Sequence, residues 1–584
     1  MRMPTTAAGE PVPASRGWPV WVTSLAQRLA SFPRWLAGLP RRLAMLARRT
    51  PALAREHWLL ALLLAAGLVL RVLAQIAYRP ALYYIDSAKY LFGAYPGNDP
   101  PGYQILIKPL LAVADPSLVA ALQHVLGLAM AVVIYIVLLR RGAPRWLSAL
   151  ATAPVLLDAY QLQIEQTIMP DVMFEACIVA GLAALLWHPR PRTALVITGG
   201  LFLGVAVTAR QVGEILILPA VAYVLVAVPH WRQRLAQAAI LCAAFAVPIL
   251  AASFRNEIAI HNFGLAPYSG GSIYGRMAAA ADCATLQLPS YERALCPTAQ
   301  QQRNGPDWLI HQPGSPIKSF QAPAGMSNGA VVSNFSHRVL RQQPGRVLVA
   351  IGKDALKLYA VNRVTAPGDV SIGRWQFQPS YPQYPPYMTI SGGQVLFTSL
   401  SPTGSVRWTW SAQGFGGGPV VAAPLAAFLR AYQLGGGYTP GPLLALMTLA
   451  GLAGTLSLAR RHATPAQRDA ARACLLTFTT AVAILLVSDA FEFSWRYQLP
   501  ALITLPPAAA LAITALFTHR RAESGQPPGT ASAPGGQTQE AATQGTRWRT
   551  AVSRSSRSPV TARPPAERQR GRRPGPSPVT GQAV

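Results

Sequence analysis

Ten stretches of 17 to 23 mostly apolar residues run through this chain: 58–77, 117–139, 146–162, 170–187, 193–209, 212–228, 235–253, 439–459, 473–489 and 498–518. A helix crossing a bilayer needs about 20 such residues. Repeated apolar runs of this length leave few folds open. Charged residues make up 12% of the chain and hydrophobic ones 51%, where a soluble domain carries about 25% charged. A soluble enzyme is excluded on that balance. So is disorder throughout, because too much of the chain is apolar. The expected fold class is an all-α polytopic membrane protein with about ten transmembrane helices, an α+β or irregular extracytoplasmic segment and a disordered basic C-terminal tail.

Arginine placement orients the spans. With the N-terminus inside, the short inner loops carry Arg140, Arg141, Arg145, Arg190, Arg192, Arg232, Arg234, Arg460, Arg461, Arg468 and Arg472. The opposite connections carry only Arg79, Lys89, Lys108, Arg210 and Arg496. Cytoplasmic loops are the richer in Lys and Arg. Both termini are therefore expected inside a cell membrane, with 254–437 extracytoplasmic. An eleventh span at 417–435 would reverse the last three and put Arg460–Arg472 outside. That stretch is better read as a helix lying on the outer surface. The chain then divides into a basic region 1–56, a transmembrane core 57–253, the segment 254–437, further spans over 438–518, and a tail 519–584.

The net charge is +29 and gathers at the ends. Residues 1–56 hold nine Arg against two Glu, and the tail from Arg520 holds eleven Arg against three Glu. With so many spans between them, these ends suit anionic membrane lipid rather than nucleic acid. Trp18, Trp21, Leu25, Leu29, Trp35 and Leu36 among arginines suggest an interfacial amphipathic helix over 18–50. The Gly/Pro/Ser/Thr/Gln-rich tail from about 522 should be disordered. Within 254–437, residues 346–361 have helical apolar spacing and QVLFTSL reads as strand. Lysine is scarce, with five against many Arg, which reads as GC-rich bacterial coding bias.

The acids gather at one rim. Asp86 and Asp99 lie in the first outer loop, Asp158 and Glu165 end the third span, and Asp171 and Glu175 begin the fourth. Glu214 follows Arg210, and Asp489 and Glu492 precede Arg496. Ionisable groups at membrane depth default to a functional reading. The plainer reading is that acids at helix starts complement the helix dipole, and it is preferred for Glu175 and Glu214. Asp86 differs, standing in the aromatic stretch YYIDSAKY with no turn signature. Cys283 and Cys296, 13 positions apart in a polar stretch, are expected to pair if that segment is extracytoplasmic.

Three groups of residues together resemble a known superfamily. The first is Asp86 in YYIDSAKY followed by NDPPGYQILIKPL, with Pro100, Pro101, Gly102 and Tyr103. The second is the acidic turn QIEQTIMPDVMFE, with Glu165 and Asp171. The third is TARQVGEILILP with WRYQLPALITLPP, containing Arg210, Arg496, Tyr497 and Pro500. The set resembles the C-type integral-membrane glycosyltransferases, in the branch of protein O-mannosyltransferases and lipid A aminoarabinose transferases. The resemblance covers about 58–253 and 485–518. It departs at Ser87, where the family often has Glu, and at Asp99, where Lys is common before the proline pair.

The resemblance implies transfer of a hexosyl or pentosyl group from a polyprenyl-phosphate-linked donor, outside the cytoplasm, to a cell-envelope glycan, lipid or protein acceptor. The residues suit that chemistry. An acceptor hydroxyl needs a carboxylate as general base, and Asp86 is the candidate. The leaving phosphate needs fixed cations, best supplied by the guanidinium fork. Arg210 and Arg496 are the candidates, with Lys89 and Lys108 behind them and Tyr103 and Tyr497 as further binding residues. Glu165 and Asp171 are candidates to bind hydroxyls or help hold a divalent ion, the one cofactor left open. The competing classes are a lipid or solute transporter, which would want midplane charges and internal symmetry, and a non-catalytic membrane scaffold.

Overall fold

The computed structural model describes residues 52, 54–84, 86–92, 99–266, 271–380, 388–391, 394–401, 404–411 and 420–517. The chain divides into two units, Met1–His519 and Arg520–Val584, and every described residue lies in the first. The 18–50 helix and the tail from 522 lie outside the described residues.

Apolar composition and end signals set the helices. α1 (Trp58–Ala77) is 20 residues, about 30 Å at 1.5 Å per residue. Its Leu62, Leu68 and Val69 face outward, as a lipid-facing stripe should. α2 (Gly102–Val113) is short, and α3 (Pro116–Arg140) begins with proline at the first helical position and Asp115 capping the Ser117 amide at 2.8 Å. Next come α4 (Asp171–Leu186), α5 (Thr193–Ala209), α6 (Ile217–Ala227), entered through a 3₁₀ turn at Gln211–Leu216, and the 30-residue α7 (Trp231–Ile260). α5 meets α7 at close range through glycines one turn apart. A Cβ on Gly204 would come 2.2 Å from the Phe245 carbonyl, the small-residue packing that membrane helices favour.

Beyond α7 lie α8 (Gly271–Ala280), α9 (Asn328–Gln342) and α10 (Pro344–Lys357), with shorter turns between them. They enclose a core of their own around Tyr274, Leu295, Leu309, Phe335 and Val339. Cys283 and Cys296 pack at its edge, joined as a disulfide with Cα atoms 6.1 Å apart. A short strand β1 (Tyr78–Arg79) is followed much later by an antiparallel sheet of β2 (Met388–Ser391), β3 (Gln394–Ser401) and β4 (Gly404–Ser411). β5 (Val420–Val421) returns to pair with β1, Tyr78 opposite Val421. α11 (Ala423–Leu434) then lies against α1 through Ala426 and Leu429. At 12 residues it is too short to cross a membrane. The chain ends in α12 (Gly441–Leu456), α13 (Pro465–Phe491), opened by a Thr464–Gln467 capping box, and α14 (Ala501–Phe517). α14 is almost wholly enclosed by protein, whereas α1, α7 and α12 expose most of their surface.

Six helical stretches among the described residues are long and apolar enough to span: 58–77, 116–140, 231–260, 441–459, 465–491 and 495–517. The other four expected spans carry shorter helices, and one is broken. Residues 146–162 do not form a single helix but three pieces, Arg145–Leu150, Ala153–Leu157 and Ala159–Gln166. The break follows from Asp158, whose extended backbone lets its carboxylate cap Tyr160 at 3.0 Å. The same carboxylate binds the Thr439 amide at 2.8 Å and Arg363 at 2.9 Å. A buried helical break was invisible to a pattern that counts only apolar residues.

Between α1, α3 and the 159–166 helix lies a buried polar network. Arg71 donates to the Val155 and Leu156 carbonyls at 3.0 and 2.9 Å and to Glu165 at 2.7 Å. The other Glu165 oxygen meets His124 Nδ1 at 2.9 Å. The Gln123 amide donates to the Glu165 and Thr167 carbonyls at 2.8 Å each. A buried carboxylate paired this fully is a fixed structural element.

Candidate functional site

The short stretch Leu82–Ser87 is held edge-on to Gln166–Ile168. The Leu82 N–H donates to the Gln166 carbonyl at 2.9 Å, the Ile168 N–H donates to the Leu82 carbonyl at 3.0 Å, and the Ser87 hydroxyl donates to the Ile168 carbonyl at 2.9 Å. Ser87 is thus buried and fixes the loop that carries Asp86 beside the start of α4. Asp86 lies 3.0 Å from Lys89, and Lys89 lies 3.0 Å from Asp99.

From the far end of the chain, the turn Trp495–Gln498 brings Arg496 against both acids. Its Nε lies 2.9 and 3.1 Å from the two Asp171 oxygens, and its Nη1 lies 3.7 Å from Asp86. Arg210, at the end of α5, pairs with the same Asp171. The Tyr497 ring lies beneath both guanidiniums, 4.6 Å from Arg210 and 5.3 Å from Arg496. Such stacking favours a desolvated cation. Burial works to raise the Asp86 carboxyl, but Lys89 and then Arg496 outweigh it and hold the group below the usual carboxylate range.

The structure brings together Asp86, Lys89, Asp171, Arg210, Arg496 and Tyr497. Tyr103 stands beside them: its ring meets Tyr90 edge-on at 5.1 Å and its hydroxyl donates to Gln123 at 2.7 Å. Two candidates are placed elsewhere. Glu165 is fully buried between Arg71 and His124, so it does not reach an acceptor hydroxyl. Lys108 points outward from α2, because the buried face there is that of Tyr103 and Ile107. Glu214 is exposed, and Glu175 is buried, with the Gln161 amide donating to it at 2.7 Å. The carboxylates proposed for a divalent ion do not fit one. Asp171 is taken by two arginines and Glu165 by Arg71 and His124. Among the described residues no group of three or more His, Cys, Asp or Glu is arranged for a metal.

Sequence reasoning missed residues from the large connecting segment. Trp375 lies 5.2 Å from the Arg496 guanidinium and 4.8 Å from the Tyr84 ring. Arg374 donates to the Tyr84 hydroxyl at 2.9 Å. The available signal was an Arg-Trp pair inside a Gly/Ser/Pro-rich stretch, which carries no periodicity.

Gly102 shows why the Pro-Pro-Gly stretch is needed. A Cβ there would sit 2.2 Å from the Thr208 hydroxyl and 2.6 Å from its carbonyl, two residues before Arg210. Gly102→Ala is expected to lower stability by roughly 1–3 kcal/mol through overpacking. A lower Tm in detergent, with weaker turnover, would show it. An unchanged Tm would mean that α2 shifts freely.

A cavity of about 870 Å³ is lined by residues other than those of this cluster. It lies between the 145–157 helices, α11, α12 and α14, walled by Leu150, Leu157, Leu446, Met447 and Ile513. Asp158, Tyr438 and Thr439 line its polar part. Arg363, the partner of Asp158, stacks at 5.0 Å on Tyr438 and 5.5 Å on Trp495, the residue before Arg496.

Residues 86–263 match the family model described as dolichyl-phosphate-mannose-protein mannosyltransferase. No curated protein matches the chain. Two solved structures are similar. The first is archaeal oligosaccharyltransferase AglB from Archaeoglobus fulgidus, in complex with an inhibitory peptide and a dolichol-phosphate, at 13% identity and TM-score 0.35 over 80% of this chain and 51% of that one. The second is ArnT from Cupriavidus metallidurans in the apo state, at 14% identity and TM-score 0.27 over 75% of this chain and 78% of that one. The chain spans about half the length of AglB.

Proposed function

We propose that this protein transfers a sugar from a polyprenyl-phosphate carrier to an acceptor hydroxyl at the extracytoplasmic membrane boundary, with Asp86 as general base. The observation that carries this reading is the meeting of Asp86, Lys89, Asp171, Arg210 and Arg496 from four separated stretches beside helices that can span a membrane. The family match over 86–263 supports the reaction class.

In the reaction the acceptor oxygen attacks the anomeric carbon as the bond from that carbon to the phosphate oxygen breaks. The acceptor's proton passes to Asp86, and the bonding electrons leave with the polyprenyl phosphate. Arg496 and Arg210 stand where the growing negative charge would be met. Asp171 keeps the two guanidiniums side by side, so the fork is assembled before the phosphate arrives. Fixed charges cost no reorganisation at the moment of reaction. The carrier's isoprenoid chain would lie in the apolar cavity of about 870 Å³. A single displacement of this kind inverts the anomeric centre.

The test uses the full chain in sealed vesicles, with polyprenyl-phosphate hexoses and pentoses offered against the matching nucleotide sugars. Consumption of a lipid-linked donor only is expected. Sidedness comes from impermeant thiol labelling of Met326→Cys and His462→Cys. Labelling of the first from the acceptor's side, and of the second from the other, is expected. Use of a nucleotide sugar, or no consumption of any lipid-linked donor, would overturn the reading. The reversed labelling pattern would overturn the orientation.

A further inference from the structure

The apolar spacing over 346–361 gives α10 two apolar faces, and its core uses one of them. Val347 and Asp354 are buried, and Ile351 packs beside them against the core around Tyr274 and Phe335. Asp354 is paired with Arg276 of α8 and with Lys357 at 2.6 Å. The opposite face carries Leu348, Val349 and Leu356, which are 66%, 57% and 67% exposed, with Gly352 among them. A helix on a water-facing surface is polar on the side away from its core. This side holds three large apolar side chains and no acid. Its flank carries two exposed cations: Lys353, and Arg346, whose Nε also donates to the Ala280 carbonyl at 3.0 Å.

The place of α10 in the fold sets what meets that side. α10 packs against α13, and Lys357 lies 4.8 Å from the ring of Phe493, just beyond the end of that helix. Past α10, Leu358 enters the main core, and the Tyr359 hydroxyl meets Thr448 of α12 at 3.2 Å. A Cβ on Gly441, the first residue of α12, would come 2.1 Å from the Ala360 carbonyl. Both α12 and α13 belong to stretches long and apolar enough to span. The last turn of α10 therefore stands where one spanning helix ends and another begins. Val361 and Val364 carry the exposed apolar surface onward from there, at 68% and 59%.

We propose that the outward face of α10 docks on the bilayer surface beside α12 and α13, with Leu348, Val349 and Leu356 in the acyl boundary and Lys353 among the headgroups. This goes beyond the transferase reading and does not depend on it. An interfacial helix seats its apolar face about 5–10 Å into the boundary between headgroups and acyl chains. A lysine at the edge of such a face lays its stem along the apolar surface and keeps its ammonium in the polar layer. The docked helix leads directly to the candidate site. Lys357 binds Asp369 at 2.5 Å, in the stretch that continues to Arg374 and Trp375. The Val364 carbonyl accepts from the Trp495 indole at 2.9 Å, one residue before Arg496. The lipid surface is thus the seat of the connecting segment that walls the site.

The experiment is fluorescence quenching of a bimane label on the full chain, held in nanodiscs of phosphatidylcholine and phosphatidylglycerol so that both faces of the bilayer are open to solutes. Cys242→Ser removes the exposed free thiol, while Cys177 and Cys474 are buried and Cys283 and Cys296 are bonded to each other. Leu348→Cys and Leu356→Cys are then labelled one at a time. Lipid brominated on its acyl chains is expected to quench both labels by about twofold or more, and aqueous iodide to quench them little. Strong quenching by iodide with none by brominated lipid would place the face in water and overturn the proposal. Protection from both quenchers would mean that protein covers the face, and would overturn it too; recovery of iodide quenching at one chain per nanodisc would identify that cover as a second copy. If either variant fails to fold, Val349→Cys reads the same face with the same two outcomes. No part of this readout uses turnover, so loss of the transferase reading would leave it standing.

Discussion

Asp86→Asn is expected to lower sugar transfer by about 10²–10⁴-fold, the usual worth of general-base help, while leaving donor-lipid binding intact. The substitution keeps the shape and one acceptor oxygen, so the Lys89 contact at 3.0 Å can persist. It removes the ability to take a proton. A neutral amide also stops competing for Arg496, whose main partner is Asp171 at 2.9 Å. Binding of polyprenyl phosphate should therefore hold or tighten slightly while turnover collapses. That split between kcat and affinity separates a lost base from a damaged binding site. The sign of the pH effect is also fixed. Because Lys89 and Arg496 hold the Asp86 carboxyl below its usual range, it is ionised throughout the neutral region. The Asp86→Asn deficit should then be the same at pH 6 and pH 8. Near-normal transfer by a well-folded Asp86→Asn protein would remove Asp86 from the mechanism, and the base assignment would pass to Asp171.

Much of the site could be read from sequence because its chemistry is expensive in a membrane. Asp86, Asp171, Arg210 and Arg496 stand out in a chain with 12% charged residues, and each sits at the edge of an apolar run. The same reasoning misjudged Glu165. It cannot tell an acid that faces a cavity from one fully paired inside the bundle, because both look like a charge beside a helix end. Only the positions of Arg71, 94 residues away, and His124, 41 residues away, decide it. The broken helix at 146–162 failed for a related reason, since the Asp158 carboxylate at its break is also held by Arg363 and Thr439, 205 and 281 residues later in the chain. Tyr84, Arg374 and Trp375 were hidden because aromatic and guanidinium groups in a non-periodic segment carry no spacing signal. The spans themselves were legible wherever length and apolarity sufficed, as in α1 and α13. Short helices such as α4 depend on neighbours for burial, which composition does not report.

Arg496→Lys is the second large effect, and it should weaken donor binding and turnover together. Lysine keeps the charge but loses the planar fork and the stacking on aromatic faces, so the exchange is not conservative at such a site. Arg496 uses both features. Its guanidinium reaches Asp171 through Nε and Asp86 through Nη1, and it lies between Trp375 at 5.2 Å and Tyr497 at 5.3 Å. One ammonium cannot hold two acids and present a second face to phosphate. Losing a preorganised donor to a developing anion costs about 10²–10³ in kcat, and donor affinity should fall by about tenfold or more, the scale of one charge-assisted bond. A structural explanation competes, since Asp171 is buried and would lose its best partner. Asp171→Asn separates the two. It removes the charge that needs pairing and keeps an amide oxygen to which the guanidiniums can still donate, so the loosened pairing should cost donor binding only a few-fold while Arg496→Lys loses it. Isothermal titration with polyprenyl phosphate, alongside Tm in the same detergent, reads both. If Arg496→Lys folds normally and binds the carrier as the unaltered protein does, Arg496 serves Asp171 alone, and the task of meeting the leaving phosphate falls to Arg210.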